Sequence, residues 1–208
     1  MHRLLFEKSL FQSGSARLGG IDEAGRGPLA GPVVAACVAI DPDFQFKNKE
    51  LKKVRDSKKL SEKIRARLFK ILSEENLEIG IGICSHKIID KMNIFQANFL
   101  AMKRAIGALS CPPDLILVDG KFSIPKIKIK QKAIIEGDNK VFLIAAASII
   151  AKVTRDRIME EFHLKYPAYC FNEHKGYATR KHKELIGEFG PCEIHRKTFH
   201  PFSEVINL

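Results

Sequence analysis

An uninterrupted run of eight apolar residues, Val33–Ile40, constrains the fold most strongly. A run this short and this apolar is typical of a strand that is buried on both faces. A second short apolar run precedes it at residues 18–21, and glycine and proline residues punctuate the connection between the two runs. The sequence therefore predicts two buried strands with a glycine-rich connection.

The rest of the chain alternates between helical and strand patterns. Ser61 is predicted to cap a helix that runs to residue 75, because apolar residues recur at helical spacing behind it. The further predicted elements are a strand at 77–84, a long helix at 88–109, a strand at 114–120, an extended basic stretch at 124–135, a helix at 141–162 and a short helix near 181–189. This order predicts one α/β domain, residues 1–208, with a mixed central sheet flanked by helices and a small C-terminal helical appendage at roughly 178–208.

The charge of the chain points to a polyanionic partner. Its 208 residues include 35 Lys and Arg against 24 Asp and Glu, so the formal net charge is +11. The hydrophobic fraction of 45% argues against disorder. Basic residues cluster at 47–59, 121–132 and 175–183, which favours nucleic acid as the partner, although a basic surface that binds nothing stays an alternative.

The cysteines and the apolar segments indicate the cellular compartment of the protein. The five cysteines are odd in number and form no close pair, which indicates reduced thiols and no disulfide framework. The N-terminal segment is too short and too broken in its apolar pattern for a signal peptide, and no run of about 18 apolar residues follows. We therefore expect a soluble cytoplasmic protein without a membrane span.

Two adjacent carboxylates, Asp22 and Glu23, lie one residue before Gly25-Arg26-Gly27, a glycine-flanked arginine typical of anion binding. In a basic chain this pairing makes most sense if a divalent cation lies between the acids and a phosphate. Successive side chains of a strand point to opposite faces, so we expect a bulge or the strand end to re-aim one of the two acids. The alternative is an ordinary hairpin whose polar residues are solvated.

Two further carboxylates are candidates for the same site. Asp119 ends a predicted strand, at the edge where open α/β sheets bind ligands, although an Asp-Gly turn is the alternative. Asp156 shares one helix face with Ser148 and Lys152, and here a surface Lys152–Asp156 ion pair is the alternative. Asp138 is better explained as a turn or N-cap residue.

The histidines and cysteines allow two other chemistries. A zinc cluster could be drawn from Cys170, His174, His182, Cys192 and His195, but no pair has the usual ligand spacing, which argues against it. A metal-free ribonuclease with a histidine pair would leave the carboxylates unused.

Taken together, the segments resemble ribonuclease HII, a family with the ribonuclease H-like fold. The similarity covers residues 20–32, 56–60, 114–120, 137–138, 146–156, 172–179 and 195–199 in the family's order. It implies that Asp22, Glu23, Asp119 and Asp156 are the metal-binding catalytic carboxylates. It also implies that Gly25, Arg26, Gly27 and Tyr177 read the RNA-to-DNA junction and that Lys58 contacts a phosphate.

The resemblance also implies an activity. Such an endoribonuclease hydrolyses the RNA strand of RNA-DNA hybrids and cuts 5′ to ribonucleotides embedded in duplex DNA, leaving 3′-OH and 5′-phosphate ends. Two Mg²⁺ or Mn²⁺ ions would take part. The related ribonuclease HIII family has an extra N-terminal domain and lacks the Gly-Arg-Gly form.

The expected partners are the nucleic-acid substrates alone. We expect a monomer without an obligate protein partner, and residues 201–208 show no recognisable sliding-clamp-binding peptide. A hybrid-binding protein without catalysis is the rival from another functional class, and the four intact carboxylates argue against it.

Overall fold

A computed structural model describes residues 4–54, 57, 60–200 and 202 of the chain. The strands in this part of the chain are β1 (Leu18–Ala24), β2 (Val33–Ile40), β3 (Glu78–Cys84), β4 (Leu115–Asp119) and β5 (Lys130–Ile134). They form one sheet in the order β3-β2-β1-β4-β5. The β1–β2 and β2–β3 pairs are antiparallel, whereas the β1–β4 and β4–β5 pairs are parallel. This mixed sheet confirms the predicted α/β fold.

Helices cover both faces of the sheet. The longest described helix, α6 (Phe142–Lys165), packs on β1 and β2 from one side, and α4 (Ile94–Gly107) packs on β2 and β3 from the other. The other helices are α1 (Leu5–Gln12), α2 (Glu62–Glu74), α3 (His86–Met92), α5 (Gly137–Lys140), α7 (Phe171–His174) and α8 (Arg180–Phe189). Short 3-10 turns lie at Lys49–Lys53 and Pro167–Tyr169.

The side chains on the two faces of β1 and β2 pack in two separate apolar clusters. Leu18 and Val38 pack in the cluster that contains α6, whereas Ile21 and Cys37 pack in the cluster that contains α4. This burial on both faces explains why β2 is apolar throughout and why β1 is apolar up to Ile21. Gly20 lets α6 approach closely, because a Cβ at this position would lie 2.4 Å from the backbone carbon of Leu143. Full burial of a side chain such as Ile21 contributes roughly 1.5–3 kcal/mol to folding.

The ends of two helices show which sequence signals were sufficient. The prediction that Ser61 caps α2 is confirmed, since its hydroxyl accepts a hydrogen bond from the Ile64 N–H. The prediction of one long helix at 88–109 is wrong, because the chain breaks between α3 and α4 at Asn93. Asn93 has a φ of 68°, and its side chain accepts from the Gln96 N–H, so it caps α4. A positive φ is uncommon for a non-glycine residue, and asparagine is enriched among the residues that adopt one.

The segment after α8 returns to the glycine-rich connection between β1 and β2. His195 forms an isolated antiparallel bridge with Ala30, and the Arg196 N–H donates to the Leu29 carbonyl at 2.8 Å. The predicted short helix near 181–189 is confirmed as α8. No helix within the described ranges is long and apolar enough to cross a membrane.

Candidate active site

Asp22 and Glu23 lie near the carboxyl end of β1, and the ladder with β2 continues past them without a bulge. Asp22 therefore points to the α6 side, where it hydrogen-bonds Ser148, and Glu23 points to the α4 side, where it hydrogen-bonds Asn98. The expected bulge is absent, because the β1–β2 register is unbroken through both acids. Both side chains nevertheless line one cleft near the end of the strand.

This cleft has a volume of about 540 Å³ and opens at the edge of the sheet. It brings together three predicted metal ligands, the predicted glycine loop and the predicted tyrosine. The lining residues are Asp22, Glu23, Ala24, Gly25, Arg26, Gly27, Ser57, Ile94, Asp119, Ser148, Lys152 and Tyr177.

The acids of the cleft are held together at an electrostatic cost. Burial raises the pKa of Asp22 well above its ordinary value, and the neighbouring Glu23 and Asp119 carboxylates raise it further. Burial also raises the pKa of Glu23, although Arg26 and Asn98 oppose the rise. A divalent cation would relieve this repulsion. An all-oxygen donor set of this kind fits a hard cation such as Mg²⁺ or Mn²⁺.

Asp119 is the last residue of β4, and a backbone group of α5 fixes its orientation. Its Oδ1 accepts a hydrogen bond from the Gly137 N–H at 2.8 Å. Gly120 follows with a φ of 97° in a bend, so the chain changes direction directly after Asp119. The Asp119 carboxylate lines the cleft at this bend.

Asp156 does not line the cleft. Its Oδ1 accepts from the Lys152 Nζ at 2.7 Å, and its Oδ2 lies 4.0 Å from the Arg65 Nη2. The ion pair foreseen as the alternative therefore exists, but the Asp156 side chain is only 10% exposed. Within the described ranges, no three Asp, Glu, His or Cys side chains form a preformed metal cage. The role of Asp156 as a ligand stays a prediction.

Two buried arginines hold the glycine loop, which we define as residues 24–32. Arg196 donates to the carbonyls of Gly25, Arg26, Gly31 and Pro32 at distances between 2.6 and 3.1 Å. Arg155 donates to the carbonyls of Pro32, Ala30 and Lys175 at 3.0 to 3.2 Å. Both arginines are fully buried. Burial and the neighbouring Arg155 lower the pKa of Arg196 to about 9.

The glycine at position 25 is required by this arrangement. Gly25 has a φ of 98°, and a Cβ there would lie 2.1 Å from the Arg155 Nε. Gly27 has open space around it. The Arg26 side chain is half exposed, and its Nη1 lies 3.1 Å from the Glu23 Oε1. The loop therefore presents an exposed guanidinium directly beside the acids.

Tyr177 closes the cleft on the α6 side. Its ring is 41% exposed, and the Lys152 Nζ and Arg155 Cζ lie 5.5 and 5.6 Å from the ring centroid. Ser57 also reaches the cleft, where its hydroxyl lies 2.8 Å from that of Ser148. The predicted phosphate contact Lys58 lies outside the described residues.

The histidines form a packed cluster away from the cleft. His174 and His182 stack with ring centroids 4.2 Å apart, and the His182 Nε2 lies 3.1 Å from the His195 Nε2. Burial lowers the pKa of both His182 and His195 to about 4. These rings pack on Phe171 and bond one another, and none of them lines the cleft, so the structure supports neither the zinc cluster nor a catalytic histidine pair.

A five-stranded mixed sheet with acids at one strand end and helices on both faces defines the ribonuclease H-like class of nucleases. The family model described as ribonuclease HII matches residues 19–202. The ribonuclease HII of Caldicellulosiruptor saccharolyticus is 49% identical over 193 residues, which cover 93% of this chain and 91% of that protein. The chain belongs to the ribonuclease HII family and has the endonuclease activity of that family.

Solved structures agree with this assignment. The ribonuclease H2 of Pyrococcus horikoshii OT3 has a TM-score of 0.73 and 30% identity, covering 92% of this chain and 97% of that one. The ribonuclease HII of Archaeoglobus fulgidus, solved in complex with PCNA, has a TM-score of 0.70 and 28% identity, with 86% and 93% covered. A Bst ribonuclease HIII in complex with Mn²⁺ shares the fold at a TM-score of 0.65 and 18% identity, with 95% and 71% covered.

Sequence reasoning missed Asn98, Arg155 and the role of Arg196. Asn98 lies on α4 among apolar neighbours, and a single amide inside such a pattern is the signal that could have found it. Arg155 directly precedes Asp156, but in a sequence a helical arginine is indistinguishable from a surface cation. Arg196 lies in a matching segment, 195–199, yet nothing in that segment indicates that its guanidinium is buried.

Proposed function

We propose that the chain cuts the phosphodiester on the 5′ side of a ribonucleotide in duplex DNA, and that it also hydrolyses the RNA strand of RNA-DNA hybrids. The observation that carries the proposal is the single cleft in which Asp22, Glu23 and Asp119 face the glycine loop. Acids alone would repel a phosphate, so they serve phosphoryl chemistry only with cations between them and the substrate. The proposed products carry 3′-OH and 5′-phosphate ends.

Asp22, Glu23, Asp119 and Asp156 are the residues that would hold two divalent cations in this metal-dependent family. The cations would supply an activated water and would neutralise charge on the leaving oxygen. Asp156 must first leave Lys152, to which it is bonded in the structure. Lys152 lines the cleft, so once released its ammonium can contact a substrate phosphate.

The glycine loop and Tyr177 would recognise the sugar. Arg155 and Arg196 bond the loop through its carbonyl groups, which leaves backbone N–H groups of residues 25–27 available to the ribose 2′-OH. Tyr177 would stack on the neighbouring deoxyribose with its exposed ring. Lys58 would contact a phosphate. In this mechanism the 2′-OH is recognised, and water performs the attack.

The remaining expectations concern organisation and partners. We propose that residues 1–208 act as one domain and that the protein is a cytoplasmic monomer without an obligate protein partner. The Archaeoglobus fulgidus relative was solved with PCNA, but residues 201 and 203–208 of this chain lie outside the described residues. The expectation of a chain without a clamp-binding peptide therefore rests on its sequence.

Asp119→Asn separates an enzyme from a protein that only binds hybrids. Removal of one charge from the acid cluster should lower kcat by at least about 100-fold, because the cations lose a ligand. The substrate is a DNA duplex with one ribonucleotide, and binding and turnover are measured separately. An enzyme should lose turnover and still bind this duplex.

The matched control is Asp43→Asn, which neutralises an exposed carboxylate outside the cleft. It should leave both binding and kcat within about twofold of the wild type. Equal turnover of Asp119→Asn and Asp43→Asn would show that Asp119 takes no part in catalysis.

A further inference from the structure

Two exposed phenylalanines lie beside the acids on the side of the sheet opposite to Tyr177. Phe122, in the loop after β4, is 61% exposed, and Phe95, at the start of α4, is 39% exposed. The rings of Phe95 and Phe122 have centroids 5.6 Å apart, and the rings of Phe95 and Phe99 have centroids 4.6 Å apart. We call these three residues the aromatic ledge. Phe99 is buried beneath the two exposed rings, and exposed aromatic side chains that cluster in this way mark a binding surface.

The aromatic ledge is continuous with the active site. The groove that it lines also contains Glu23, Arg26 and Asp119, which line the main cleft as well. Tyr177 lines the main cleft but is absent from the groove. Tyr177 contacts α6 through Lys152, whereas the ledge is built on α4, so the acids lie between the two aromatic surfaces. A strand that crosses the acids from Tyr177 would therefore continue onto the ledge.

The polar groups of the groove match a nucleotide. Lys121 is exposed next to Phe122 and supplies a cation for a phosphate. Asn98 also lines the groove, and it is 95% buried, since its exposed fraction is 5%. Its Oδ1 has no hydrogen-bond partner among the residues that the structure describes. A buried acceptor of this kind favours a ligand that carries a donor group.

We propose that the aromatic ledge binds the nucleotides on the 5′ side of the cleaved phosphate, with Phe122 stacked on a base or a deoxyribose. The proposal rests on the function proposed above, in which the ribonucleotide and the deoxyribose that follows it contact the glycine loop and Tyr177. A surface on the other side of the acids then faces the part of the strand upstream of the cut. Aromatic rings stack on any base, so the ledge adds affinity without sequence preference.

Phe122→Ala tests the ledge, since removal of this exposed ring leaves the core untouched. Binding is measured by fluorescence anisotropy in an Asp22→Asn background, which prevents cutting and changes no residue of the groove. With a long duplex that carries one ribonucleotide, Phe122→Ala should weaken binding about tenfold. Phe122→Trp should restore it, because the larger ring also stacks.

The position of the contact is tested with shortened duplexes. When the duplex is truncated on the 5′ side of the ribonucleotide, the Phe122→Ala variant and its parent protein should bind equally well. When it is truncated on the 3′ side, the roughly tenfold difference should remain. The matched control is Phe189→Ala on α8, which removes a ring that is 51% exposed and lies outside both the cleft and the groove.

Equal binding by Phe122→Ala and the parent protein on the long duplex would overturn the proposal and would leave a protein partner as the occupant of the ledge. The proposal also fails if Phe189→Ala weakens binding as much as Phe122→Ala does, or if the effect of Phe122→Ala survives 5′ truncation of the duplex. Cleavage by the wild-type protein is measured in parallel. If the wild-type protein does not cleave the duplex, the proposed function is rejected. If it cleaves normally but Phe122→Ala does not weaken binding, only the proposed role of the aromatic ledge is rejected.

Discussion

Asp22 is the residue whose surroundings are most unfavourable to an unpaired charge at the proposed cation site. It is buried at the end of β1, its Oδ1 accepts the Glu23 N–H at 2.7 Å, and two other carboxylates act on it. These surroundings raise its pKa, so the ionised form is disfavoured without a cation. The residue is therefore expected to lower the stability of the metal-free protein, a cost that the proposed cations would offset.

Asp22→Asn should raise the free energy of unfolding of the metal-free protein by about 1 kcal/mol near neutral pH. The sign follows from the raised pKa in the folded state. Above the ordinary carboxyl pKa the unfolded chain releases its proton, whereas the folded chain retains it or bears a buried charge, so stability falls as pH rises. Urea unfolding with a chelator at several pH values measures this difference.

The gain should shrink as pH falls to the ordinary carboxyl range, because Asp22 is then protonated in both states. Asp43→Asn, at an exposed position, should change stability by less than about 0.5 kcal/mol at every pH. A destabilised Asp22→Asn protein at neutral pH would contradict the assignment of a raised pKa.

The positions of the acids in strands could be predicted from the sequence, whereas the buried arginines could not. Asp22, Glu23 and Asp119 follow apolar runs. Residues at the ends of buried strands lie at one edge of the sheet, where ligands bind. Arg155 and Arg196 could not be recognised, because their role depends on carbonyl groups far away along the chain. Asp156 was expected among the acids, but the structure shows it bonded to Lys152, a contact that the i and i+4 spacing foresaw as the alternative.

At the scale of elements, the glycine loop is a segment without regular structure that is fixed by side chains from elsewhere. Arg155 comes from α6, and Arg196 comes from the segment after α8. Together they donate seven hydrogen bonds to backbone carbonyls, six of them within the loop. The loop that is proposed to recognise the ribose thus depends on the C-terminal part of the chain.

Arg196→Lys should lower the free energy of unfolding by about 3 kcal/mol. A lysine ammonium cannot donate the four hydrogen bonds of the planar guanidinium, so buried carbonyls are left unpaired. Selectivity for a ribonucleotide over a deoxynucleotide should fall in the folded fraction. Both are measured, by urea unfolding and by cleavage of matched duplexes. Arg180→Lys, on a 92% exposed side chain, is the control and should change stability by less than about 0.5 kcal/mol. Unchanged selectivity in Arg196→Lys would contradict the positioning role.

Some boundaries of helices and strands could be predicted from local sequence signals, and others could not. The apolar runs predicted β1, β2 and β4, and the serine cap predicted the start of α2, because both signals are local. The break at Asn93 was missed, since an asparagine inside an amphipathic pattern is compatible with a continuous helix until its φ is known. Residues 124–129 were expected to be extended, yet the paired strand begins only at Lys130.

At the scale of the whole molecule, the sheet separates two surfaces that meet at the acids. The α6 side carries Tyr177 and Lys152, and the α4 side carries the aromatic ledge. A net charge of +11 gives the whole chain an attraction for a nucleic-acid backbone. We therefore expect a substrate strand to cross the edge of the sheet over the carboxylates.

The central claim is that cations held by these carboxylates hydrolyse the bond 5′ to a ribonucleotide. The most direct measurement is cleavage of a DNA duplex with one embedded ribonucleotide, with the chemical identity of both new ends determined and with EDTA as the control. We expect a cut on the 5′ side of the ribonucleotide, 3′-OH and 5′-phosphate ends, and no cleavage in EDTA. Cleavage that persists in EDTA, or products that end in a 2′,3′-cyclic phosphate, would contradict it.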